Sequence, residues 1–183
     1  MSNHRILGLS GSLRKASLNR KLLHEAARLH PNADFSEGSL RLPLYDGDLE
    51  AQGMPPEVQA LADQIADADA VVISTPEYNK SLSGVLKNAL DWISRVEGNP
   101  WADKPLAIMS ATAGRTGGEV AQNALRLAMV SFSPRIVGGP KVLVAGAMKE
   151  FDDQGQLVSE NYINAMTGLM AALRDEVELL RKT

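Results

Sequence analysis

The chain of 183 residues is long enough to bury a sizeable core, has a formal net charge of −3 and contains no cysteine. This charge balance argues against nucleic acid as the main partner, and the absence of cysteine excludes disulfides, thiol nucleophiles and zinc–thiolate sites. The three histidines, His4, His24 and His30, lack metal-ligand spacing, so no metal site is predicted.

The first half of the chain predicts two strands and two helices. Arg5–Ser10 is typical of a short buried strand that ends in a Gly/Ser turn, and Ser17 is placed to cap the helix that follows. Ala33–Leu42 is a weaker strand candidate and is followed by a turn-rich stretch over residues 43–53. Pro55-Pro56-Glu57 then opens the second helix, because proline is favoured in a first helical turn.

The second half continues the alternation of strands and helices. Strands are predicted over Ala70–Ile73, Leu106–Ser110 and Pro140–Ala145, and helices over Ser83–Val96, Val120–Ser131 and Asn161–Arg181. The pattern indicates one α/β domain over residues 1–183, with a flavodoxin-like, doubly wound, parallel five-stranded sheet in the order 2-1-3-4-5. Ligands of such sheets lie beyond the carboxyl ends of the strands, so the loops after strands one, three and four are expected to carry the function.

The loop after the first strand, Ser10–Asn19, has the features of an anion site. It leads into a helix N-terminus, where free N–H groups and the helix dipole attract anions. The hydroxyls of Ser12 and Ser17, the amide of Asn19 and the guanidinium of Arg14 are suited to a phosphate cradle. A plain strand–helix turn with a capping serine is the alternative, and the loop matches neither common glycine-rich nucleotide motif.

The other two loops offer contacts to a flat ligand. Pro76-Glu77-Tyr78-Asn79 is a turn by composition, and Tyr78 is placed where its ring can lie against an aromatic ligand. Residues 110–118 contain three glycines, which permit either close approach of the backbone to a ligand or a flexible connection.

Taken together, the three loops resemble those of the NADPH-dependent FMN reductases, a family that includes bacterial quinone and chromate reductases. Gly11-Ser12-Leu13-Arg14-Lys15-Ala16-Ser17-Leu18-Asn19 is similar to the family's phosphate loop. Pro76-Glu77-Tyr78-Asn79, continued by residues 83–92, and the loop with Gly114, Gly117 and Gly118 match its second and third motifs. Weaker matches, among them Phe151-Asp152-Asp153-x-Gly155, extend the resemblance over nearly the whole chain.

The resemblance implies a set of FMN-binding residues. It assigns Ser12, Arg14, Ser17, Leu18 and Asn19 to the FMN phosphate, Pro76, Glu77, Tyr78 and Asn79 to the isoalloxazine, and Ala111, Thr112 and Gly114 to its pyrimidine edge. No catalytic side chain is expected, because the flavin carries the redox chemistry.

The function implied is transfer of a hydride from NADPH or NADH to FMN, followed by transfer of two electrons to a small-molecule acceptor such as a quinone, chromate, an azo compound or free flavin. The alternative is a flavodoxin-type electron carrier that does not react with nicotinamide; Arg14 and the mild net charge argue against it.

The chain is expected to be cytoplasmic and to have no membrane partner. Its first apolar stretch, Ile6–Leu9, is too short for a signal peptide, and no run approaches the roughly 18 apolar residues of a membrane span.

The helix over Ser83–Val96 has an unusually wide apolar stripe, with Leu90 and Trp92 at its edges. This width predicts that part of the stripe packs on another subunit. The family resemblance likewise implies a homodimer or homotetramer.

Overall fold

A parallel sheet forms the centre of the molecule, and helices cover both of its faces. The computed structural model describes residues 3–30 and 32–182. Its strands are β1 (His4–Ser10), β2 (Ala33–Gly38), β3 (Ala70–Ser74), β4 (Pro105–Ala111), β5 (Arg135–Ile136) and β6 (Val142–Val144). Its helices are α1 (Leu18–Leu29), α2 (Gly47–Glu50), α3 (Pro56–Asp67), α4 (Gly84–Ile93), α5 (Glu119–Met129) and α6 (Glu160–Leu180).

The strand order is β2-β1-β3-β4-β5, with β6 also paired to β4, and every described pair is parallel. This confirms the predicted order, but the fifth position is divided between two short strands. β5 pairs with the first residues of β4, Pro105 and Leu106, and β6 pairs with its last three. The predicted strand Pro140–Ala145 contains β6 and misses β5, because the sequence Gly138-Gly139-Pro140 interrupts the edge and proline has no N–H to donate to it.

The core lies in two layers, one on each face of the sheet. Residues of α3, α4 and α5 pack on one face, and residues of α1 and α6 pack on the other. β3 and β4 are buried along their whole length because both of their faces are covered. Among the described residues, no helix is both long and apolar enough to cross a bilayer.

The edges of the wide stripe of α4, Leu90 and Trp92, pack inside their own chain and do not form the predicted contact with another subunit. Leu90 and Trp92 are only 3% and 0% exposed. The segment between β2 and α3 covers them: the ring of Tyr45 lies edge-on to Trp92 with a centroid distance of 5.0 Å, and Nε1 of Trp92 donates to the carbonyl of Pro43 at 2.8 Å. The extra width therefore serves this covering segment, which contains the short helix α2.

Candidate functional site

A cavity of about 740 Å³ lies at the carboxyl ends of β1, β3 and β4, within the size range of small-molecule sites. The three loops singled out in the sequence converge on it. Eleven of the twelve predicted site residues line it: Ser12, Arg14, Ser17, Leu18, Asn19, Pro76, Glu77, Tyr78, Ala111, Thr112 and Gly114. Asn79 does not line the cavity.

The first loop presents unpaired donors to this cavity. Ser17 caps α1, and its Oγ accepts a hydrogen bond from the backbone N–H of Arg20 at 3.2 Å. Within the described part of the chain, the backbone N–H groups of Leu18 and Asn19 and the guanidinium of Arg14 have no partner. Free N–H groups, the positive end of a helix dipole and an unpaired cation together make a site for an anion.

The side-chain amide of Asn19 is directed into the protein and joins α1 to the sheet. Its Nδ2 donates to the carbonyl of Ala111 at 2.9 Å, and its Oδ1 accepts from Oγ of Ser74 at 2.9 Å and from N–H of Ala111 at 3.0 Å. Asn19 is 3% exposed, so these bonds are shielded from water. The oxygen and one N–H of the amide that was predicted to contact phosphate are thus already engaged, and the backbone N–H of Asn19 is an unpaired donor at the N-terminus of α1.

The second loop ends in a tight two-residue turn. Tyr78 and Ser81 exchange backbone hydrogen bonds of 3.1 Å in both directions, and Asn79 and Lys80 between them have φ of 50° and 62°. Positive φ at both central positions is characteristic of a type I′ turn. The turn holds Tyr78, which is 51% exposed, at the edge of the cavity, whereas Asn79 in the turn itself does not line it.

Glu77 links this turn to the helix after the third loop. Its Oε2 accepts from the backbone N–H groups of Val120 and Ala121 at 3.2 and 3.4 Å, and its Oε1 lies 3.6 Å from Nζ of Lys80. The residue that precedes α5, Gly118, has no side chain with which to cap the helix. Glu77 supplies that cap from a neighbouring loop and so fixes the separation of two walls of the cavity.

We expect Lys80→Gly to raise the free energy of unfolding by about 1 kcal/mol, because a non-glycine residue in the left-handed region costs about 1–2 kcal/mol and glycine does not. In thermal unfolding the midpoint should rise by roughly 2–4 °C. Asn79→Gly is the matched control and should change it less, since asparagine tolerates this conformation. A lower midpoint for Lys80→Gly would show that its ion pair with Glu77 outweighs the strain.

The third loop is held against β6. A Cβ atom at Gly117 would collide with the carbonyl of Leu143, and φ is +61° at Gly117 and +90° at Gly118. The backbone N–H of Thr112 donates to the carbonyl of Val144, and its carbonyl accepts from the N–H of Ala147. Among the described residues, the backbone N–H groups of Ala113, Gly114 and Arg115 are left without a partner beside the cavity.

A fourth wall was missed in the sequence. Met148 and Phe151, which follow β6, line the cavity together with Lys21 of α1, whose Nζ lies 5.8 Å from the ring centroid of Phe151. The weak match around Phe151 was the available signal. Because β6 lies beside β4, the chain that leaves it must pass the same edge of the sheet as the third loop.

This wall is anchored by a buried carboxylate on α1. Oε2 of Glu25 accepts from the backbone N–H of Leu157 at 3.2 Å, and both of its oxygens accept from Arg28 at 2.9 Å. The hydrogen bond to Glu25 raises the pKa of Arg28. Phe151 and Leu157 pair as an antiparallel bridge, so Glu25 holds the base of the turn that carries Phe151.

Comparison with known protein families shows which family the chain belongs to. The sequence model described as NADPH-dependent FMN reductase matches residues 4–149, which include all three loops. The chain belongs to this family. The prediction of an oxidoreductase enzyme with FMN as cofactor and NAD(P)H as co-substrate is thereby confirmed at the level of the family.

Several FMN reductases and related enzymes are similar over nearly their full length. An NAD(P)H-dependent FMN reductase of Pseudomonas aeruginosa is 41% identical over 97% of both chains. A quinone reductase of Escherichia coli K12 is 35% identical over 96% of both. The solved structure of FerB, a flavoenzyme NAD(P)H:(acceptor) oxidoreductase of Paracoccus denitrificans, is 32% identical and has a TM-score of 0.87 over 96% of this chain and 98% of that one.

The donor set of this reductase fits FMN. The N-terminus of α1 offers N–H groups, the hydroxyls of Ser12 and Ser17 and the cation of Arg14, which suit a phosphate group. The exposed ring of Tyr78 and the unpaired N–H groups of residues 113–115 lie at the other loops of the same cavity, where a flat ring with polar edges finds both kinds of contact.

Proposed function

We propose that the chain binds FMN in the 740 Å³ cavity and catalyses the oxidation of NADPH or NADH with a quinone as electron acceptor. The observation that carries the proposal is the set of unpaired donors at the N-terminus of α1, which opens into a cavity lined by both other loops. Ser12, Arg14, Ser17 and the backbone N–H groups of Leu18 and Asn19 hold the phosphate. The similarity to a quinone reductase supports the choice of acceptor.

The remaining predicted residues hold the ring system. Pro76, Glu77, Tyr78 and Asn79 form the turn beside the isoalloxazine, with Glu77 and Asn79 acting through the shape of the turn. Thr112, Gly114 and the neighbouring N–H groups approach the pyrimidine edge, and Ala111 joins them by anchoring the loop to Asn19. FMN, when bound, accepts a hydride from nicotinamide and supplies two electrons to the acceptor. The N–H donors of the third loop stabilise negative charge at that edge.

The flavodoxin-type electron carrier is not favoured, because the relatives of this chain are named as reductases. Chromate, azo compounds and free flavin are further acceptors to be compared with quinones in the same assay.

The function is tested with the purified protein. Denaturation should release one FMN per chain and no FAD, and anaerobic NADPH or NADH should bleach the flavin absorbance before any acceptor is added. Addition of a quinone should then restore the absorbance. Bleaching by neither nicotinamide would contradict the enzyme and favour the carrier, and released FAD would contradict the proposed cofactor.

We further propose that the chain acts as one reductase domain in the cytoplasm and assembles as a homodimer or homotetramer. Large apolar side chains that are exposed near the cavity, Leu13, Tyr78 and Met148, support an assembly that covers them. Light scattering should give the mass of two or four chains. A monodisperse monomer at micromolar concentration would contradict the assembly.

A further inference from the structure

A second cleft, of about 480 Å³, lies beside the cavity at the β2 edge of the sheet. Four cationic side chains line it: Arg14, Lys15, Arg20 and Arg41. Glu37 is the acidic residue among the described residues that line it. The proposed FMN site uses Arg14 and Ser12, which border both spaces, and leaves the other three cations of the cleft without a role.

The cleft is positive although the chain as a whole has a net charge of −3. Oε2 of Glu37 is paired with Nε of Arg20 at 2.9 Å, which leaves Arg14, Lys15 and Arg41 without an acidic partner among the described residues. Lys15 makes no hydrogen bond or ion pair with the described residues. Such an excess of positive charge attracts a multiply charged anion.

Arg41 is held against the phosphate loop by a hydrogen bond. One of its terminal nitrogens, Nη2, donates to the carbonyl of Leu13 in the phosphate loop at 3.1 Å. That bond fixes the guanidinium against the loop and leaves further N–H groups for a ligand. Ser39, which also lines the cleft, adds a hydroxyl whose oxygen accepts from the backbone N–H of Arg41 at 3.3 Å. A fixed guanidinium with a nearby hydroxyl suits a phosphate group.

A groove connects the cleft to the cavity. Arg14, Arg41 and Tyr78 line this groove together with Gly11 and Leu13, so it runs from the turn after β3 to the cations near β2. β1 lies between β2 and β3, and neighbouring strands are about 4.8 Å apart, which places the two ends about 10 Å from each other across the sheet. In the proposed pose the phosphate of FMN lies at α1, so the cations near β2 are open to a second ligand that starts beside Tyr78 and follows the groove.

We propose that this cleft binds the adenosine end of NADPH, with the 2′-phosphate among Lys15, Arg20 and Arg41, and that the chain therefore prefers NADPH to NADH. The inference rests on the proposed function for the position of the nicotinamide beside Tyr78. A 2′-phosphate adds a charge of about −1.5 to −2 that NADH lacks, and arginine is the residue that commonly accommodates it in other folds. The cations of the cleft thus select between two substrates that carry the same reacting group.

Binding is measured first without turnover. In calorimetry on the FMN-loaded protein, adenosine 2′,5′-bisphosphate should bind at least about 10-fold more tightly than 5′-AMP, which lacks the 2′-phosphate. Lys15→Gln and Arg41→Gln should each weaken the bisphosphate by about 10-fold, or about 1.4 kcal/mol, and 5′-AMP by less than about 2-fold. Arg174→Gln removes the same charge from α6, outside the cleft, and should change neither. Equal affinity of the wild type for the two nucleotides would overturn the proposal.

Anaerobic bleaching of the flavin then separates the two nicotinamides. Lys15→Gln and Arg41→Gln should raise the half-saturating concentration of NADPH by about 10-fold and that of NADH by less than about 2-fold. Equal losses for both would place the shared diphosphate in the cleft and overturn the 2′-phosphate assignment. Lys15→Gln decides the matter if Arg41→Gln does not fold, since Lys15 makes no hydrogen bond or ion pair with the described residues. Tight bisphosphate binding without bleaching by either nicotinamide would refute the proposed function and leave the cleft assigned.

Discussion

Asn19→Ala is expected to lower the free energy of unfolding by about 3–5 kcal/mol, among the largest losses for a single polar side chain. The amide makes three hydrogen bonds, to Ser74 and to both backbone groups of Ala111. Those partners are buried, so their polar atoms lose a bond without gaining water. Because each buried group left unsatisfied costs about 1–3 kcal/mol, the three losses add to a large effect.

Urea unfolding followed by circular dichroism measures this change. Ser17→Ala removes the cap of the same helix and is the matched control, with an expected loss of about 1 kcal/mol. FMN binding should weaken in Asn19→Ala as well, because the first turn of α1 is no longer fixed to β3 and β4. A loss below about 1 kcal/mol would show that water takes the place of the amide.

Arg14→Ala is expected to weaken FMN binding by about 10- to 150-fold. One charge-assisted hydrogen bond to phosphate is worth roughly 1.5–3 kcal/mol, which corresponds to that range. The guanidinium of Arg14 has no partner among the described residues, so its removal should change the free energy of unfolding by less than about 0.5 kcal/mol. Loss of affinity without loss of stability is the signature expected of a residue that serves the ligand.

Titration of the apoprotein with FMN and with riboflavin checks this prediction. Riboflavin has no phosphate and should bind wild type and Arg14→Ala with similar affinity. Arg174→Ala carries the same loss of charge on the distant helix α6 and should leave FMN affinity unchanged. Equal losses for FMN and riboflavin would mean that Arg14 acts on the ring or on the fold.

The strands of the core were predictable because burial on both faces selects long apolar runs, as in β3 and β4. The strand β5 was not, since Arg135 and Ile136 form only two pairs and have no periodicity of their own. The helix α2 could not be predicted either, because its four residues, capped by Asp46, have no apolar face. The segment around this helix nevertheless covers Trp92. An apolar helix surface wider than one sheet face requires must be covered by further residues, but its sequence does not show whether they come from the same chain or from another subunit.

Positions of the site were predictable from loop chemistry, but the directions of its side chains were not. The sequence places Asn19 in the phosphate loop, and only the register of α1 against β3 and β4 turns its amide toward Ala111. Likewise, Met148 and Phe151 lie far along the chain from the three loops and join them through the pairing of β6 with β4. Local residue types predict a contact with a ligand only where no tertiary partner competes for the same group.

Gly117 and Gly118 of the third loop are required by the fold itself, independently of the cofactor. The neighbours that exclude a side chain at Gly117 and Gly118 are Leu143 and Ser110, which belong to the sheet itself. A descendant that had lost FMN altogether would still need both glycines to seat this loop, whereas it would be free to change Arg14. We therefore expect the glycine pair to mark proteins that share this loop and sheet, and an arginine at position 14 to mark those among them that bind a phosphate group.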